Sequence, residues 1–114
     1  MRNLLAPYYG DLFHGTSLRA ARKIRDEGVI RANTAGYVSF AADPGTAKLY
    51  AMYRGGGEGS GVVIRFPASD VDAGKVTRDP EHERGQLAYL YRGNLQLSRV
   101  EWSDADPTWY HSSR

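Results

Sequence analysis

The sequence predicts an α+β fold with a largely antiparallel sheet, and three observations carry that expectation. The chain has 114 residues, which suits one compact domain. Its first half alternates strand-like and helix-like segments, two of each. Its second half reads mostly as short strands. Hydrophobic residues make up 41% and charged residues 25%, ordinary globular values, so a single modest core is expected.

The elements follow in order. The opening MRNLLAPYYG reads as a lead-in segment. Leu12-Phe13-His14 is a short apolar stretch that Gly15 is expected to end as a turn. Ser17 is a good helix N-cap, Leu18, Ala21 and Ile24 recur at helical spacing, and Gly28 is the stop. This predicts a helix from about Leu18 to Glu27. Tyr37-Val38-Ser39-Phe40 is rich in β-formers and predicts a strand. Asp43 is a cap followed by Pro44 at the first helical position, which predicts a second helix from about Pro44 to Tyr53. Ala47, Tyr50, Ala51 and Arg54 fall on one face of it.

Residues 54–61 hold five glycines in eight positions, which no helix or strand holds cheaply, so a loop is expected. Val62 to Phe66 is a strand closed by Pro67. Ala68 to Ala73 is a connection leading to a small strand near Val76, and Thr77 to Gly85, with Pro80, reads as a loop. Gln86 to Tyr91 predicts a strand, and Leu95 to Leu97 and Val100 to Trp102 predict further short ones. A single domain results, with its core at about 11–102 and a loosely ordered tail at 103–114.

Composition narrows the chemistry. The chain has no cysteine, which excludes disulfides, zinc–thiolate sites and a cysteine nucleophile. His14, His82 and His111 lack metal-ligand spacing, so no metal is expected. No apolar run approaches the ~20 residues of a membrane span, and the N-terminus lacks the apolar core of a signal peptide. A soluble, cytoplasmic protein with no membrane partner is expected. Fifteen basic residues against thirteen acidic give a net charge of +2, close to balance. Arg19, Arg22, Lys23 and Arg25 lie together on the first helix, as a solvated face or as a phosphate-contacting one. There is no dinucleotide fingerprint and no Walker A pattern, and the glycine run lacks the lysine and following helix of a phosphate loop.

Three groups of residues can carry chemistry. His14-Gly15-Thr16-Ser17 sits at a strand-to-helix junction, where free backbone N–H groups and small hydroxyls cradle a polar ligand. There His14 either bonds a ribose hydroxyl or is satisfied by local backbone. Ser39 ends a strand and Tyr50 follows eleven positions later on a helix. Tyr50 either stacks on a flat ligand or is a core aromatic. Glu81, Glu83 and Gln86 precede or open the last main strand, as a sugar anchor or as a solvated loop.

Together, LFHGTS with its helix and Gly28, GYVSFAADPGTAKLYA, GVVIRF and QLAYLYRGNLQLSRV resemble the ADP-ribosyltransferase superfamily. That clan holds the poly(ADP-ribose) polymerases and diphtheria-type toxins, and also the RNA 2′-phosphotransferases. The resemblance runs from about residue 12 to 102. Its most specific part is HGT followed by G-x-V-S-x-x-x-D and A-x-x-Y-A.

The resemblance implies a split, mostly antiparallel sheet with two short helices, and NAD⁺ as substrate. It assigns His14 to the adenine-side ribose and the Gly15 backbone to the nicotinamide amide. It draws Thr16, Ser17 and Tyr37 into the binding set and puts Ser39 where many members carry a tyrosine. Tyr50 matches the tyrosine that stacks on nicotinamide. Gln86 falls where many members carry the catalytic glutamate, and Glu83 is the nearby acid that could replace it. Gln86 keeps a hydrogen bond but supplies no charge, a loss on the order of a few kcal/mol of transition-state stabilisation. The implied activity is therefore transfer of one ADP-ribose to a macromolecular acceptor, protein or nucleic acid, as in a toxin or phage effector, without chain elongation. The alternatives are a catalytically weakened or inactive binding or inhibitory module, and an RNA 2′-phosphotransferase. The latter needs further arginines and histidines to grip phosphate. The NAD reading requires His14, Ser39 and Tyr50 to converge on one pocket.

Overall fold

The structure is a computed structural model that describes residues 10–55, 61–79 and 88–104. Strand β1 runs Asp11–Thr16, helix α1 Leu18–Glu27, strand β2 Val29–Ile30, strand β3 Tyr37–Ala41 and helix α2 Pro44–Gly55. Strands β4 Val62–Pro67, β5 Val76–Arg78, β6 Ala88–Arg92, β7 Leu95–Gln96 and β8 Glu101–Asp104 follow. Two single 3₁₀ turns, Ala68–Asp70 and Ala73–Lys75, connect β4 to β5. Six strands form one sheet in the order β5-β6-β3-β1-β4-β8, and β2 and β7 form a separate ribbon. Every pairing is antiparallel. The predicted α+β fold with an antiparallel sheet is the observed one.

Local rules set both helices. The Ser17 hydroxyl accepts from Ala20 N at 3.1 Å, and Gly28 closes α1 at φ 71°, its N–H bonded to Ile24 O. Asp43 caps α2 twice, accepting from Thr46 N at 2.9 Å and from the Thr46 hydroxyl at 2.8 Å.

The sheet has two covered faces, because successive side chains of a strand point opposite ways. Leu12, Val38, Phe40, Ile64 and Phe66 pack with Ala21 and Ile24 of α1 in the larger core. Phe13, Ala41 and Val63 pack with Ala47 and Ala51 of α2 in the smaller one. Parity then puts His14 and Thr16 on the α1 side, and Gly15 and Ser39 on the α2 side.

Gly15 is a correction. It does not end β1 as a turn; the strand runs on through Thr16, paired Gly15↔Val63 and Thr16↔Val62 with β4. Its missing side chain serves packing. A Cβ there would collide with the Ala47 carbonyl and stand 2.6 Å from Ala51 N. Gly61, at φ 87°, meets α2 as closely, its Cβ position 2.6 Å from the Ala51 carbonyl carbon. Helix α2 therefore lies directly on backbone.

Other boundaries also move. Arg54 and Gly55 complete α2 instead of opening the loop, Thr77 and Arg78 belong to β5, and Ser103 and Asp104 belong to β8 instead of the tail. Strand β2 was not expected at all. Residues 105–114, and residues 86 and 87 of the expected Gln86–Tyr91 strand, lie outside the described residues.

The sheet is split at its centre. Strands β1 and β4 pair at six positions, whereas β1 and β3 pair at one, Phe13↔Ala41. Beyond that pair the two strands diverge toward His14 and Thr16 on one side and Ser39 and Tyr37 on the other.

Candidate functional site

The opening between β1 and β3 is the candidate site. His14 and Thr16 line it from β1, and Tyr37, Val38 and Ser39 line it from β3. Arg31, Asn33 and Arg54 complete a cavity of about 200 Å³. A second cavity of about 290 Å³ adjoins it, under α1 and the β2 segment, lined by His14, Thr16, Lys23, Glu27 and Val29 among others. His14, Thr16 and Arg31 belong to both, so the two chambers meet at these three residues.

His14 bridges the split. Its Nδ1 lies 2.6 Å from the Ser39 carbonyl oxygen. A carbonyl only accepts, so Nδ1 carries the proton. Burial pushes the imidazole pKa down to about 4. The bond to Ser39 opposes that shift and the nearby Arg54 charge adds to it. At neutral pH the ring is therefore uncharged, and Nε2 keeps its lone pair as an acceptor. A ligand hydroxyl can donate to it.

Arg54 crosses the same opening. Nη1 donates to Gly15 O and Nη2 donates to the Ser39 hydroxyl, each at 2.8 Å. Its guanidinium carbon stands 4.9 Å from the centre of the Tyr50 ring. Burial holds the guanidinium below its usual range, and Tyr50 opposes the shift. The Tyr50 hydroxyl donates to Asp79 Oδ2 at 3.0 Å.

The expected residues are thus brought together in part. His14, Thr16, Tyr37 and Ser39 line one chamber. Gly15 lines neither chamber, and its carbonyl accepts from Arg54 Nη1. Tyr50 is a correction: it lines neither chamber, so the single pocket expected for His14, Ser39 and Tyr50 holds only the first two, and Tyr50, on α2, meets the cleft through Arg54. The Ser17 hydroxyl is engaged in capping α1 and lines neither chamber. Glu81, Glu83 and Gln86 lie outside the described residues. Of the basic residues expected on α1, Lys23 lines the larger chamber and Arg25 covers Trp102 at 4.5 Å.

Comparison with family models, with curated proteins and with solved structures returns no match to this chain.

Arg31, Asn33 and Arg54 were not foreseen as residues of the cleft. Arg54 carried a signal, the i,i+4 spacing to Tyr50 on one helix face. Arg31 carried none, because only the fold of the β2 segment brings it to the split. Asn33 is structural, its Oδ1 accepting from Ala35 N at 3.0 Å and Tyr37 N at 3.1 Å in an Asx turn that starts β3. Among the described residues no group of three or more His, Cys, Asp or Glu side chains could hold a metal ion, and no helix is long and apolar enough to cross a membrane.

Proposed function

We propose that this chain is a mono-ADP-ribosyltransferase that takes NAD⁺ in the split between β1 and β3 and passes ADP-ribose to a macromolecular acceptor. The observation that carries the reading is His14. A buried, neutral imidazole, fixed by its Nδ1–H on Ser39 O, lines both chambers and keeps Nε2 as an acceptor nitrogen. A ribose hydroxyl is the donor that suits it, and a two-part ligand suits two joined chambers.

The chemistry asks little of the protein beyond position. The bond between ribose C1′ and the nicotinamide nitrogen breaks with its electron pair leaving on nitrogen, so a cationic pyridinium departs as a neutral ring. An oxocarbenium ion develops on the ribose. A nucleophile of the acceptor then bonds to C1′ and loses its proton. Holding the reactants in line supplies much of such catalysis. Tyr50 supports the placement of the departing ring, since its face already holds a flat cation, the Arg54 guanidinium. A pyridinium would take that face by exchange.

The test is incubation with labelled NAD⁺ and cell lysates from several sources, reading free nicotinamide and labelled macromolecules. Release of nicotinamide with label on an acceptor is expected. Neither product in any lysate would count against turnover. A second reading, a binding module that keeps the site without turnover, is favoured by Gln86 standing where the resemblance calls for an acid. Calorimetric binding of NAD⁺ without nicotinamide release would select it.

A further inference from the structure

Among the described residues, two guanidinium groups and no carboxylate line the smaller chamber. Arg31 and Arg54 both line it, with the hydroxyl-bearing Thr16, Tyr37 and Ser39 between them. Arg31 pairs with Glu27 at 3.3 Å on the exposed rim, and Glu27 lines the other chamber. Arg54 is different. Among the described residues its partners are a carbonyl, a hydroxyl and an aromatic ring, all neutral.

A partly desolvated cation with only neutral partners is stabilised by an anion. The guanidinium fork has five N–H donors, of which Arg54 commits two, one from each terminal nitrogen. The remaining donors suit an anion with several oxygens in one plane, and arginine pairs with phosphate in that two-pronged way. Hydroxyls along the wall add donors.

We infer that the chamber between Arg31 and Arg54 is a binding site for a phosphoryl group. The ligand is a diphosphate or phosphate, supplied by a dinucleotide or present as the free ion. The site does not depend on the NAD reading, because the arginines would hold either source.

The test is calorimetry of the full chain with inorganic pyrophosphate, repeated with NAD⁺ as competitor. Binding is expected, weakening as salt is raised. Arg54→Gln and Arg31→Gln should each lower pyrophosphate affinity about tenfold or more, a change of ~1.4 kcal/mol. Arg54→Lys should fall between, keeping the charge without the fork. Arg31 is largely exposed, at 65% for its side chain, so its variant should fold even if Arg54→Gln does not. No pyrophosphate binding at millimolar concentration, or equal binding by the wild type, Arg31→Gln and Arg54→Lys, would overturn the inference. Pyrophosphate displaced by NAD⁺ names the dinucleotide as the source. Pyrophosphate bound and undisturbed by NAD⁺ supports the site and removes the NAD reading. NAD⁺ bound while pyrophosphate neither binds nor competes removes the site and leaves that reading standing.

Discussion

The Nδ1 of His14 takes the Ser39 carbonyl, 2.6 Å away, at the place where backbone pairing between β1 and β3 has ceased. Continuing the register from Phe13↔Ala41 would set Gly15 opposite Ser39. A side chain holds that position instead, and the sheet opens beside it.

Burial of this imidazole makes stability depend on acid, and the bond to Ser39 opposes the effect. The folded-state pKa of His14 is depressed to about 4 from an ordinary 6.5, so the unfolded chain binds the proton more readily. Stability is therefore complete above pH 6.5 and falls as pH drops from there toward 4. The loss amounts to roughly 3 kcal/mol for this shift. Urea unfolding from pH 4 to 7 should show that slope in the wild type and a flatter one in His14→Gln. Equal slopes would mean that the imidazole is not held neutral.

Gly15→Ala should destabilise severely. The added Cβ meets the backbone of Ala47 and Ala51, which cannot rotate away. The cost should reach or exceed the ~1–3 kcal/mol of ordinary overpacking. Gly10→Ala meets nothing within 4 Å and should stay within about 0.5 kcal/mol of the wild type. Thermal unfolding of the pair measures the difference.

Asp43→Ala removes both bonds that start α2, to Thr46 N and to the Thr46 hydroxyl. A loss of about 1 kcal/mol is expected in chemical denaturation, in the usual range for a helix cap. Ser17→Ala should lose a similar amount from α1.

If nicotinamide exchanges with the guanidinium on Tyr50, two variants should move in opposite directions. Tyr50→Ala should weaken NAD⁺ binding by about 1–3 kcal/mol, while Tyr50→Phe, which keeps the ring and loses the bond to Asp79, should change it little. Arg54→Ala should bind free nicotinamide severalfold more tightly than the wild type, since the resident cation is gone. Calorimetry reads all three, and unchanged nicotinamide affinity in Arg54→Ala would show that the ring lies elsewhere.

What was legible in the sequence was local. Ser17, Gly28 and Asp43 act within a few residues of themselves, through caps and a left-handed turn, and the helices start where those residues say. Gly15 was misread because its reason is distant. Its neighbour is a helix more than thirty positions later, and the strand continues because β4 pairs with it. Strand β2 has two residues, too few for any periodicity. Of the site, His14, Thr16, Tyr37 and Ser39 were legible as a set, whereas Ser17 was drawn in by position although its hydroxyl serves the helix. Arg31 and Arg54 enter from a loop and a helix end, where a charged residue ordinarily faces water.

The bare contact of α2 on Gly15 and Gly61 also governs how the cleft could diversify. Tyr50 and Arg54 ride on that helix, so their aim is inherited from two positions that contribute no side chain at all. A new ligand preference is reached most cheaply by exchanging the passengers at 50 and 54. Any enlargement of the seat at 15 or 61 would tilt both at once, and the selectivity of the cleft would drift before its chemistry changed.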